Sequence, residues 1–143
     1  MKKIAVIFVL VLFIYSFSFS AKIAFVNNND IIFVEDSSES LQVEDLFKKL
    51  SKPPVGYSTY IPTDLLNAYY FVETSLIIDI NFSLIQSYSL EEEIYLFLQM
   101  MYTLFQNVRG IDRIYILEDG KQTNLLVRYI DIRWSFPRDL YKK

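Results

Sequence analysis

The pattern of apolar and polar positions divides the chain into short elements of two different periods. After an apolar run at residues 4–15, residues 23–26 form a second apolar segment that ends at the turn-rich cluster Asn27-Asn28-Asn29-Asp30. Residues 31–34 then pair back on it as a hairpin. The period lengthens after this. Val43, Leu46, Phe47 and Leu50 stand at i, i+3, i+4 and i+7, which gathers them on one face of a helix. Residues 37–40 supply N-cap chemistry for that helix, Lys48, Lys49 and Lys52 sit at its electronegative end, and Pro53-Pro54 stops it.

Residues 65–72 and 76–82 are rich in aromatic and β-branched side chains and are separated by Glu73-Thr74-Ser75, which predicts a second hairpin. Strict alternation puts Leu66, Ala68, Tyr70, Ile78, Ile80 and Phe82 on one face, the expected core face. Asn67, Tyr69, Phe71, Ile77, Asp79 and Asn81 fall on the other. A second helix opens at Ser89, with Glu92 in the spacing of a capping box and Glu91 and Glu93 beside it, and runs to about Asn107. Glu92, Gln99, Thr103 and Gln106 form its narrow polar stripe, and the wide apolar remainder places it at the centre of the core. Gly110 ends it. Residues 114–117 form a strand that turns at Asp119-Gly120. Residues 125–132 and 134–141 are apolar enough to be ordered, but the pattern assigns them no element.

Strands and helices mixed in this order define an α+β two-layer sandwich, with one mixed or antiparallel sheet carrying two helices on one face. Residues 1–20 read as a signal peptide: Met1-Lys2-Lys3, the apolar run, then Ser18, Ser20 and Ala21 at the small-residue end. Cleavage after Ser20 leaves small residues at both positions a signal peptidase inspects. The strictly apolar stretch is shorter than the roughly 20 residues that span a bilayer comfortably; retention as an uncleaved anchor is the alternative, when the segment is counted through the Ser/Phe alternation to Ala21. Residues 21–143 are read as a single domain, since their length suits one core.

Composition narrows the function. Lys2 and Lys3 belong to the first segment, so residues 21–143 hold 12 of the 14 basic residues against all 17 acidic ones, a net charge of −5. That balance argues against nucleic acid, whose phosphates demand clustered Lys and Arg. Contact with a membrane is left to residues 1–20, if uncleaved. With no cysteine there is no disulfide, no thiol nucleophile and no lipid-accepting thiol; with no histidine, the commonest general base and metal ligand is missing. The expectation is a non-enzymatic protein without cofactor or metal.

Several runs together resemble the GerMN family, a module of bacterial sporulation and spore germination proteins. They are Phe25-Val26-Asn27-Asn28; Leu46 through Leu50-Ser51-Lys52-Pro53-Pro54 with Gly56; Tyr60-Ile61-Pro62 with Leu65-Leu66; Ile78-Asp79-Ile80-Asn81; Tyr102-Thr103-Leu104; and Gly110 through Lys121. Pro137-Arg138-Asp139 resembles the family's ending. The sequence departs from the pattern in having Glu73-Thr74 where a glycine is usual, one domain where the germination protein has two, and no anchoring cysteine. The resemblance implies a non-catalytic extracytoplasmic α/β module that binds other proteins in the cell envelope. It implies no active site.

Candidate chemistry is sparse. Three consecutive residues on a helix point about 100° apart, so Glu91-Glu92-Glu93 cannot converge on one ion and reads as helix capping. Asp79 is a carboxylate in mid-strand, read as a polar residue on the wet face or one bonded to a nearby turn. Paired with Asp112 or Asp119 it is the weakest reading, a hydrolase. Asp119-Gly120-Lys121 is a hairpin turn. The feature that suggests function is an aromatic patch on the second sheet face: Tyr69, Phe71, Ile77, Tyr115 and Leu117. Either it meets a protein partner or a second copy of the chain, or the C-terminal stretch 125–136 folds back over it. A small molecule or cell-wall glycan stacking on the tyrosines is the alternative ligand.

Overall fold

The computed structural model describes residues 20–38 and 41–142. The targeting segment therefore lies outside the described residues, apart from Ser20. Among the described residues, no helix is long and apolar enough to cross a membrane.

Strands β1 (Ala21–Asn27) and β2 (Asp30–Asp36) form the expected hairpin, closed by Asn28 and Asn29. Both asparagines hold positive φ, 49° and 67°, a conformation their short polar side chains tolerate. Helix α1 (Val43–Leu50) follows, with Val43, Leu46, Phe47 and Leu50 all buried. Its cap differs from the sequence expectation: Gln42 is the N-cap, and the Asp45 carboxylate accepts the Gln42 N–H at 3.4 Å. Ser38 instead turns back on Asp36, donating from its N–H at 2.9 Å and from its hydroxyl.

The second hairpin joins β3 (Leu66–Val72) to β4 (Ser75–Ile80) through Glu73 and Thr74. Helix α2 (Leu90–Asn107) opens with the anticipated box: the Ser89 N–H donates to the Glu92 carboxylate at 2.7 Å, and the Glu92 N–H to the Ser89 hydroxyl at 3.4 Å. It carries the chain across to β5 (Arg113–Glu118), which lies parallel to β4. Parallel neighbours need such a crossover, and here it sets α2 over the buried residues of β4 and β5. β6 (Phe136–Pro137) completes the sheet against β5, and a single 3₁₀ turn, Arg138–Tyr141, follows.

The α+β class and the mixed sheet hold. The strands divide between two sheets, however, β1-β2 and β3-β4-β5-β6, where the sequence reading put them in one. The ribbon β1-β2 is attached to α2 instead. Ala24 N–H donates to Thr103 Oγ1 at 3.0 Å, and Gln99 Nε2 donates to the Ala24 carbonyl at 2.9 Å. Gln99 and Thr103, two members of the narrow polar stripe, are fully buried: the docked strand supplies the polar partners that water would otherwise provide. One core joins Ile23 and Phe25, the α1 face, Leu76, Ile78, Ile80, Ile114, Ile116 and the inner side of α2.

The C-terminal segment, unassigned by sequence, is tied to this core. Leu126 and Ile132 are buried, and Phe136 meets Phe97 edge-on at 4.6 Å between ring centroids. The Arg138 guanidinium donates to the carbonyls of Phe105 and Val108, which the end of α2 leaves without helical partners, and to that of Ile111 just beyond it.

Candidate functional site

The outer face of the four-stranded sheet is set by one irregularity. Leu66 pairs with Ile80 but Ala68 with Asp79, so β3 takes two steps where β4 takes one, and Asn67 is the extra residue. A bulge of this kind reverses the phase of every side chain beyond it. Tyr69 and Phe71 consequently pair with Ile78 and Leu76 and belong to the core side, while Tyr70 and Val72 pair with Ile77 and Ser75. This corrects the aromatic patch: Ile77, Tyr115 and Leu117 share the outer face, but Tyr69 and Phe71 do not. Their rings pack edge-on against each other at 5.9 Å on the side facing α1 and α2. Tyr70, assigned by alternation to the core, takes their place outside.

The outer face then contains a row across three strands, Tyr70 beside Ile77 beside Tyr115, with Leu117 paired to Asp79 one step along. Ile77, Tyr115 and Leu117 are half-buried. At the tip of β3 the exposure is greater: Tyr70, Phe71 and Val72 are 54%, 54% and 53% exposed. The stretch 121–135 does not lie over the row. It is held on the opposite side, against α2.

Asp79 does what its turn-bonded reading anticipated, accepting the Gly120 N–H at 2.8 Å. Asp119 and Gly120 both have positive φ, 48° and 75°, as a two-residue hairpin turn requires, and the Asp79 carboxylate locks that turn to the sheet. Asp112 is not near it. Asp79 stands opposite Leu117, five residues beyond Asp112, a span of about 16 Å along the strand. Asp119 adjoins Ile80, but its Oδ1 meets Asn67 Nδ2 at 3.4 Å. Among the described residues no cluster of Asp and Glu could hold a metal ion.

The acidic run at the start of α2 separates by function. Glu92 caps the helix. Glu93, read with it as capping, is fully buried, and its carboxylate accepts the N–H groups of Val127, Arg128, Tyr129 and Ile130 at 2.9–3.1 Å. Sequence reasoning missed this because nothing in the local pattern marks residues 127–130 as a ring of convergent donors. Nearby lies a second buried carboxylate, Glu118, whose Oε1 has no hydrogen-bond partner. Burial pushes its pKa up to about 7, aided by the charges of Asp119 and Glu93 and opposed by a hydrogen bond from Thr123.

The chain is thus a small α+β module in which Glu93, Asp79 and Gln99 are engaged in holding its own backbone, with an apolar edge and face left outside. The sequence model of the Germane family, described as sporulation and spore germination, matches residues 19–124, and the chain belongs to that family. Solved structures agree on the fold. The tandem GerMN domains of the sporulation protein GerM from Bacillus subtilis superpose with a TM-score of 0.70 at 14% identity, over 84% of this chain and 46% of that one. The first GerMN domain of GerM alone gives 0.61 at 14% identity, covering 83% and 96%. A protein named as a lipoprotein from Clostridium perfringens gives 0.56 at 18% identity, covering 85% and 87%. The chain thus spans about half the length of the tandem structure. Among curated proteins none matches.

Proposed function

We propose that this chain is an exported GerMN module that works by protein contact in the cell envelope, as an adaptor or assembly unit and without catalysis. The observation that carries this reading is Tyr70 and Val72, half exposed on the outer face of the edge strand with Tyr70 continuous with the Ile77-Tyr115 row, and Phe71 half exposed on the other side of the same edge. Soluble surfaces do not concentrate apolar area in this way without a use for it. Export rests on the n-region, apolar run and small-residue end of residues 1–20. The neighbour named as a lipoprotein and the sporulation protein GerM support a place outside the cytoplasm. A role in sporulation or germination follows the family. An uncut first segment would attach the chain to the membrane.

Protein contact is favoured over glycan or small-molecule binding because the row alternates aromatic with aliphatic side chains, and the carboxylate within it, Asp79, is already bonded to Gly120. The test is chemical crosslinking in intact cells with identification of the captured chains. The account expects a discrete adduct that disappears when Tyr70 and Tyr115 are both changed to Ser. An adduct unchanged in that double variant, or no adduct at all, contradicts it.

A further inference from the structure

Residues 121–135 form a strap that is tied to itself and fastened to the body at two carboxylates. Within it, the Leu126 N–H donates to the Ile130 carbonyl at 2.9 Å, the Ile132 N–H to the Asn124 carbonyl at 3.0 Å, and Gln122 Nε2 to the Arg133 carbonyl at 2.9 Å. A loop closed by its own hydrogen bonds can move as one unit. Leu126 and Ile132 are its buried side chains; Leu125, Tyr129 and Trp134 are exposed.

The two carboxylates differ in what surrounds them. Glu93, on α2, accepts four amide N–H groups of the strap, which compensate its charge in place. Glu118 ends β5 where the strap leaves the sheet, and its backbone exchanges two hydrogen bonds with that of Lys121, at 2.9 and 3.0 Å. The residue is only 6% exposed. It accepts the Thr123 hydroxyl, and its Oε1 has no hydrogen-bond partner among the described residues. The charged groups that face it are acidic: Glu93 from α2 and Asp119 from the turn that follows β5. From β4 its neighbour is Ile80, which is uncharged. The cations of the strap, Lys121, Arg128 and Arg133, are exposed, and Arg133 is bonded to Asp131.

Burial chiefly, with the charges of Asp119 and Glu93, outweighs the Thr123 hydrogen bond and keeps Glu118 protonated up to about pH 7 while the strap is closed. Water reaching the carboxyl removes the largest of these effects. We propose that residues 121–135 are a proton-gated strap, latched by Glu93 and loosened when Glu118 ionises, which bares the apolar surface under Leu126 and Ile132. This stands apart from the contact reading of the Tyr70 edge. The closed form keeps the proton and the open form gives it up. Opening is therefore rarest below pH 4.5, grows by up to about tenfold per pH unit above it, and levels off beyond about 7. Four amides and two buried aliphatic side chains still hold the strap, so the open form is a minor species whose population shifts with pH.

Native-state amide exchange of the full chain tests this, with rates corrected for the intrinsic effect of pH. Amides 127–130 are expected to lose on the order of tenfold or more in protection between about pH 5 and about pH 8. Their opening should also depend on urea more weakly than that of β4 and β5, because a strap exposes less surface than the whole fold. In Glu118→Gln, a neutral isostere, the pH dependence at these amides is expected to vanish while the urea midpoint at the lower pH stays near that of the parent. Protection unchanged with pH overturns the gate, as does a pH dependence that survives in Glu118→Gln. Amides 127–130 that share the protection and urea dependence of β4 and β5 also overturn it, since the strap would then open only with the whole fold. The parent chain alone decides that last point, so a Glu118→Gln variant that failed to fold would still leave the gate open to refutation.

Discussion

The Glu93 carboxylate, on the first turn of α2, and the N–H of Ile130, 37 residues further on, lie 2.9 Å apart. Three more amides from residues 127–129 meet the same carboxylate, so one buried side chain holds a stretch that has no regular structure of its own. Removing it leaves four backbone donors without their acceptor at once. Glu93→Ala is expected to cost about 3–5 kcal/mol in a denaturation experiment and to speed amide exchange at residues 127–130 well before global unfolding. Exchange unchanged at those amides would mean that the loop holds itself.

Glu118 predicts a pH dependence of the opposite sign from ordinary acid unfolding. Its folded pKa, pushed up to about 7, lies above the ordinary value of 4.5, so the folded state binds the proton more tightly. The stability this contributes is complete below about 4.5 and is lost as pH rises through 7, on the order of 3 kcal/mol in all. Asp36 works in the other direction. Lys49 at 2.6 Å and the Ser38 donors hold its pKa down to about 2, so its contribution is present above 3.8 and fades as pH falls through 2. Stability should therefore peak near pH 4 to 5. Glu118→Gln should flatten the alkaline side, measured as urea midpoints at pH 5 and pH 8.

Thr103 and Gln99 predict how firmly the ribbon β1-β2 is attached. Thr103→Val keeps the shape but leaves the Ala24 N–H buried without an acceptor, at about 1–3 kcal/mol. Gln99→Leu should have a similar effect, since it strands the Ala24 carbonyl and the Tyr60 N–H together. The pair should be non-additive in a double-mutant cycle, because both side chains serve the same strand.

Arg138 gives a fourth expectation. Its guanidinium serves three backbone carbonyls and lies 5.2 Å from the Phe105 ring centroid. Arg138→Met should lower stability by about 2 kcal/mol, read as a shifted urea midpoint, while Arg138→Lys recovers only part of it, because an ammonium cannot fork to three acceptors in fixed directions.

Local periodicity was enough to reveal much of the fold. The Asn28-Asn29 and Asp119-Gly120 turns, the faces of α1 and the Ser89 box are all written in neighbouring residues, and each stands where the pattern placed it. What escaped depends on partners distant in sequence. Gln99 and Thr103 look like surface residues until β1, more than seventy positions earlier, brings its backbone to them. Glu93 looks like a cap until the loop at 127–130 arrives. The candidate patch failed for a smaller reason: one extra residue at Asn67 shifts the phase of β3, so alternation counted through it exchanges Tyr69 and Phe71 with Tyr70. The outward-facing residues of β4 and β5, which contain no bulge, were placed on the side that the structure gives them.

The central claim, that the Tyr70 edge is a contact surface, is tested most directly by photo-crosslinking from single sites in intact cells. A probe at position 70 is expected to yield a discrete adduct, and one at Val55, which is fully exposed in a loop remote from β3 in sequence, none. Equal labelling from both positions, or none from position 70, would contradict the account.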